Sequence, residues 1–282
     1  MRVNNEASSV RSLTGLHLRY RMPARAALGC IGHKPFRDRT IDWVDCDRTP
    51  LHEGHTCDRC AANNATFASQ LHHAHTRGAG ELDAAVRSHL EQANNLYLAA
   101  FRDGSIKVGT STAPRLHTRL SEQGAWAARI VASTTDGFAV RTLEDRVTVD
   151  LGLPQSVSVR RKLDGLVQPI SNEQLTKELD RWSSAVHTLI EEHGDNRVTP
   201  TSDSWNSPVA HDPTFRHVHA YPLKLQSGAH DVELVAASGR VVVLKRPGAD
   251  DRFVADLRPL FGLEITIDEV EPDELTVQDS LF

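Results

Sequence analysis

No apolar run in this 282-residue chain approaches the roughly 18 residues that a membrane-spanning helix needs. The first ten residues, Met1 to Val10, are polar and lack the apolar centre of a secretory signal. Membrane and export readings are therefore excluded at this level, and the expected location is the cytoplasm. Cysteine is scarce, with four in the whole chain, and a reducing compartment disfavours pairing them as disulfides. There is no internal repeat. Excess positive charge is also missing. The formal net charge is -5, which argues against a nucleic-acid binder held by overall charge alone.

What is present is enough apolar material for ordinary cores, 39% of residues, in a length that suggests about two domains. Charge is unevenly spread. Residues 95–165 carry ten Lys/Arg against seven Asp/Glu, whereas residues 225–282 carry five against twelve. A basic stretch followed by an acidic tail can hide a local anion site inside an acidic total, although solvated faces explain the same counts.

The fold class expected is α+β, in five parts. Residues 1–80 form a cysteine-rich, zinc-ribbon-like module, opened by a strand and loop over residues 1–25. Residues 81–170 form a small α/β domain. A helix is expected over Glu81 to Asn94, then strands at Leu96 to Phe101 and Ile106 to Gly109 joined by the hairpin signal Asp103-Gly104. A helix near 114–123, a strand at Ala127 to Ser133 and a helix over Asp136 to Leu151 follow. Residues 171–214 hold the clearest helix and a linker. Leu175, Leu179, Trp182, Val186 and Leu189 recur at helical spacing, Ser171 and Gln174 make a capping box, and Gly194 stops the run. The Asp-, Asn-, Ser- and Pro-rich residues 195–214 read as the linker. Residues 215–267 are β-rich, and residues 268–282 are an acidic tail.

The cysteines carry the first chemical signal. Cys57-Asp58-Arg59-Cys60 is a Cys-x-x-Cys knuckle, which lets two thiolates reach one tetrahedral ion. Cys30 and Cys46 would supply the other half of a closed structural zinc site. A histidine among His33, His52, His55, His72, His73 and His75 could replace Cys30 or Cys46. The competing reading is buried thiols or a redox pair. A redox Cys-x-x-Cys normally opens a helix after a strand, and no such pattern is visible here.

The central segment carries the second signal: Tyr97 on one strand, Lys107-Val108-Gly109 on the next, Arg119 on a helix and Glu144 on a later helix. This layout resembles the GIY-YIG endonuclease domain. Tyr97 matches the first tyrosine of that family, Val108-Gly109 the end of its second element, Arg119 its arginine and Glu144 its metal-binding glutamate. Two positions depart. Asn95 stands where the first glycine would fall, and Lys107 replaces the second tyrosine. The resemblance implies a metal-dependent nuclease in which Glu144 holds Mg2+ or Mn2+, Arg119 grips the phosphate and Tyr97 orients water. The bland alternative is a bonded Tyr97 hydroxyl and an Arg119–Glu144 salt bridge. Tyr97-Leu98-Ala99, Lys107-Val108-Gly109 and Arg119 followed by Gln123-Gly124-Ala125 are closer still to an uncharacterised prokaryotic family, the domain of unknown function "twenty-seven ninety-seven". That likeness runs from about residue 26 onward and implies no activity.

The last five residues, Gln278-Asp279-Ser280-Leu281-Phe282, resemble the peptide with which bacterial polymerases and repair factors dock on the sliding clamp. Leu281 and Phe282 would enter an apolar cleft while the Gln278 amide fixes register. The function expected is a zinc-stabilised nuclease acting on DNA ahead of RNA, with no membrane partner. The alternatives are an inactive nucleic-acid-binding module and a protein handling a small phosphorylated ligand.

Overall fold

The computed structural model describes residues 14–265 except 24, 34–35, 38–39, 42–43, 48, 65–81 and 83. The tail residues Gln278, Leu281 and Phe282 and the histidines at 72, 73 and 75 lie outside the described residues.

The first strand, β1 (Leu16–Arg21), does not pair locally. The short strands β2 (Leu28–Gly29), β3 (Phe36–Arg37), β4 (Thr40–Ile41) and β5 (Pro50–Leu51) form two small antiparallel ribbons, β2 with β5 and β3 with β4. Residues 58–64 are helical, and helix α1 (Ala84–Leu90) follows.

Strands β6 (Asn94–Ala100) and β7 (Ile106–Thr112) make the expected hairpin. Gly104 has φ 85°, the left-handed turn that glycine adopts without penalty. The Asp103 carboxylate accepts from the Ser105 backbone N–H at 3.0 Å, closing the corner. Helix α2 (Leu116–Glu122), strand β8 (Ala127–Thr134) and helix α3 (Gly137–Leu151) continue the domain. Asp136 caps α3 by accepting from the Ala139 N–H at 2.8 Å. Helix α4 (Val159–Val167) is followed by α5 (Asn172–His193), with the Ser171/Gln174 capping box in place and Gly194 left-handed at its end.

Period-two alternation along β6 splits the core. Leu96, Leu98 and Ala100 face Val140, Leu143 and Val147 of α3 and Leu175, Leu179, Val186 and Leu189 of α5. Tyr97, Ala99 and Phe101 face the other way, toward Leu116 and Leu120 of α2. A strand buried on both faces reads as the continuous apolar run seen in the sequence.

Residues 195–214 are not simply a linker. They contain β9 (Val198–Asn206), an edge strand antiparallel to β8. Its sequence is polar because an edge strand leaves most side chains in water; Trp205 is the one that is buried. The remaining strands are β10 (Val218–Ala220), β11 (Ala229–Ser238), β12 (Val241–Lys245) and β13 (Arg252–Asp256). They form a five-stranded sheet in the order β1-β11-β12-β13-β10, whereas the central sheet is β7-β6-β8-β9. The strand at the front of the chain is thus paired with one more than 200 residues later, Leu16 opposite Leu234. The architecture is mixed α+β. No helix among the described residues is long and apolar enough to cross a membrane.

Candidate metal centre and cationic cluster

The β2–β5 ribbon and its flanking turns bring the four cysteines together. Their sulfur atoms all lie within 4.8 Å of one another. The Cys46 and Cys57 sulfurs are 3.9 Å apart, close to the ~3.8 Å edge of a tetrahedron with Zn–S bonds of about 2.3 Å. The donor set therefore fits zinc. Hydrogen bonds aim positive partial charge at the sulfurs. Gly32 N–H and Cys57 N–H donate to Cys30 Sγ at 3.4 and 3.2 Å, and the Arg59 guanidinium donates to Cys46 Sγ at 3.8 Å. Gly32, at φ 92°, has to be glycine, because a Cβ there would stand 2.1 Å from the Val44 carbonyl oxygen.

The thiols are driven apart in acidity. Hydrogen bonding from Thr49 brings Cys46 down to about 6, while a backbone hydrogen bond from Cys60 lowers Cys57. Burial, reinforced by the neighbouring sulfurs, pushes Cys60 up to about 12. Crowded thiolates repel, and a bound divalent ion removes that conflict. No histidine joins this group among the described residues. The Cys-x-x-Cys does open a helix, at residue 58, contrary to the sequence expectation. The short β5 and the irregular residues between it and Cys57 hide that start from any periodicity. Cys30 and Cys46 at contact distance are what separate this site from a two-cysteine redox motif.

The second constellation lies on the Tyr97 face of the central sheet. Tyr97 pairs with Gly109 across the hairpin, and its ring lies over that residue: a Cβ on Gly109 would stand 2.6 Å from the Tyr97 hydroxyl. This explains the glycine of Lys107-Val108-Gly109. The buried hydroxyl accepts from Gln123 Nε2 at 2.7 Å. Burial pushes the Tyr97 pKa above its ordinary value, opposed by the Arg119 charge and the Gln123 hydrogen bond.

Lys107 is 7% exposed; its ammonium donates to the Gln155 carbonyl at 3.1 Å and stands 5.6 Å from the centre of the Tyr97 ring. Burial, then repulsion from Arg119, pushes it down to about 8. Glu144 is 5% exposed and is held by Arg141 at 2.8 Å, not by Arg119. Its charge is felt by both Tyr97 and Lys107. The structure thus brings Tyr97, Lys107, Arg119 and Glu144 into one electrostatic neighbourhood, with Arg141 as the unforeseen partner of Glu144.

Three further participants were not singled out from the sequence. Gln123 belongs to the quoted Gln-Gly-Ala stretch, which was its only signal. Lys162 on α4 donates to the Gln123 carbonyl at 2.7 Å and sits 4.6 Å over the Phe101 ring. Burial, then Arg240 and Arg119, pushes Lys162 down to about 8. Arg240 lies between β11 and β12, far along the chain from the rest, and no sequence pattern marks it.

Comparison with curated proteins and with solved structures gives no match. A family model described as "Protein of unknown function (DUF2797)" matches residues 35–265, most of the chain. The match spans three of the four clustered cysteines, the central sheet with its cationic cluster and four strands of the five-stranded sheet, so the chain belongs to the DUF2797 family.

Proposed function

We propose that this protein binds the phosphodiester backbone of nucleic acid, DNA ahead of RNA, on the Tyr97 face of its central domain, and that zinc held by Cys30, Cys46, Cys57 and Cys60 stabilises its N-terminal ribbon. One observation carries the reading. Among the described residues, no carboxylate lies within ion-pairing distance of Lys107, Arg119 or Lys162, although the three repel one another. Such a gathering is relieved by an anion. Arg119 offers a planar fork for two phosphate oxygens, and Lys107 a point charge on a fixed anchor.

Cleavage in the manner of a GIY-YIG nuclease is the second reading. The order strand, strand, helix with Arg119, strand, helix with Glu144 supports it. Glu144 would be the ligand for Mg2+ or Mn2+, which would polarise the phosphate. A single carboxylate already paired with Arg141, with Lys107 close by, fits a divalent ion less well than the same neighbourhood fits an anion. The binding reading is therefore preferred. Labelled duplex, single-stranded and branched DNA and RNA, incubated with zinc-loaded protein and Mg2+ or Mn2+, separate the two. Bound, uncut substrate is expected. Cleavage that disappears in Glu144→Gln at unchanged zinc content would reverse the preference, and absence of both binding and cleavage would remove nucleic acid as the ligand.

A further inference from the structure

We infer that Lys162 and Arg240, together with Arg119, form a second phosphate subsite beside Lys107, so that the surface takes at least two phosphates of one strand. This rests on the nucleic-acid reading above and specifies its ligand as a polymer.

The subsite is built where two sheets meet. The turn between β11 and β12 presses on the turn after α2. A Cβ on Gly239 would stand 2.7 Å from the Gly124 nitrogen, and one on Gly124 would stand 2.9 Å from the Ser238 carbonyl oxygen. Contact this close needs glycine on both sides and fixes Arg240 relative to Gln123. Lys162 is tied to the same place, through its 2.7 Å bond to the Gln123 carbonyl. Arg240 is only half satisfied. Its NH2 group meets Asp256 at 3.2 Å, while its Nε is buried with no partner. The other nearby carboxylate, Asp103, is occupied by Arg161 at 2.8 Å. The Arg240 side chain is partly exposed, and its outer nitrogens keep donor capacity beyond Asp256 that a phosphate oxygen at the surface can take.

The two lysines are held apart. Lys107 lies by the ring of Tyr97 and Lys162 over that of Phe101. Those two residues are four apart, roughly 13 Å along the chain at a strand's rise per residue, so the two ammoniums rest on different rings while still feeling each other's charge. Neighbouring phosphates of one strand suit such a pair of anchors. The partly open space beside Phe101, Gly124, Lys162 and Ser238 is about 10 Å³, room for about one water. The phosphates therefore lie across the surface, which suits a strand passing over and not a small metabolite enclosed within.

The test is the salt dependence of binding to a labelled 20-mer DNA by the full, zinc-loaded chain. Lys162→Gln and Arg240→Gln are each expected to weaken binding about five- to tenfold and to reduce the slope of log affinity against log salt by about one. Excess inorganic phosphate should compete poorly with the 20-mer. Because Arg240 also holds Asp256, Lys162→Gln, with an unfolding midpoint no lower than that of the wild type, is the deciding variant. Unchanged affinity and slope in that variant overturn the second subsite. If Arg119→Gln and Lys107→Gln still weaken binding in that case, the nucleic-acid reading survives without it. If none of the four changes binding, or the wild type binds no DNA, both readings fall.

Discussion

Gly109 and Tyr97 are one steric unit, because the tyrosine ring occupies the space that a side chain at 109 would fill. Gly109→Ala would force the ring aside and break its hydroxyl's bond to Gln123. Overpacking of this kind costs about 1–3 kcal/mol, and urea denaturation should show a midpoint lowered accordingly; an unchanged midpoint would mean that the ring has somewhere else to go. Lys162 makes a prediction with a definite sign. Its ammonium is pushed down to about 8 in the folded protein, because of burial first and Arg240 and Arg119 next, from the ordinary lysine value of 10.5. Between those values the unfolded chain binds a proton that the folded chain does not, so this residue destabilises the fold below pH 8 and progressively less as pH rises toward 10.5. Wild type should therefore gain stability relative to Lys162→Met across that window. A difference in unfolding free energy that stays flat with pH would show that the lysine is not depressed.

At the scale of elements, α4 was not foreseen, because a glycine and a run of three basic residues interrupt any apolar pattern. Gly165 is nonetheless required where it stands: a Cβ there would meet the Asp103 backbone nitrogen at 2.2 Å. Backbone cannot yield as a side-chain tip can. Gly165→Ala should lift α4 from the hairpin, carry Lys162 away from Gln123 and weaken DNA binding together with stability. Stable folding with unaltered binding would show that α4 can shift without consequence. In α5 the capping box behaves as the sequence suggests, and Ser171→Ala should cost about 1 kcal/mol, measurable as a lower thermal midpoint.

At the scale of the molecule, the ribbon and the central sheet have separate cores, with Cys30, Cys46 and Cys60 in one cluster and the β6–β8 side chains in others. Removing zinc with a strong chelator should expose amides of residues 28–61 to hydrogen exchange while β6 and β8 stay protected. Equal loss of protection in both would mean that the metal organises the central sheet as well. The sequence resemblance of the tail to a clamp-docking peptide is tested at this scale too. Deleting Gln278 to Phe282 should abolish capture by purified clamp and leave DNA binding intact, and equal capture by the truncated chain would end that idea.

The sequence alone determined what depends on neighbours along the chain. The hairpin at Asp103-Gly104, the caps at Asp136, Ser171 and Gly194, the apolar run of β6 and the Cys57-Cys60 pair are local patterns with local causes. It also pointed to the cysteine quartet, through the Cys-x-x-Cys spacing and the scarcity of cysteine, and, through a family resemblance, to Tyr97, Lys107, Arg119 and Glu144, whose charges meet in one neighbourhood. Only tertiary structure decided the rest. Strand β1 finds β11 across the whole chain, β9 becomes a strand because β8 offers it an edge, Glu144 takes Arg141 as its partner, and Arg240 reaches Lys162 through the contact of Gly239 with Gly124. Long-range pairing and the choice among several arginines depend on which surfaces meet in space, and that information is not carried by spacing along the chain.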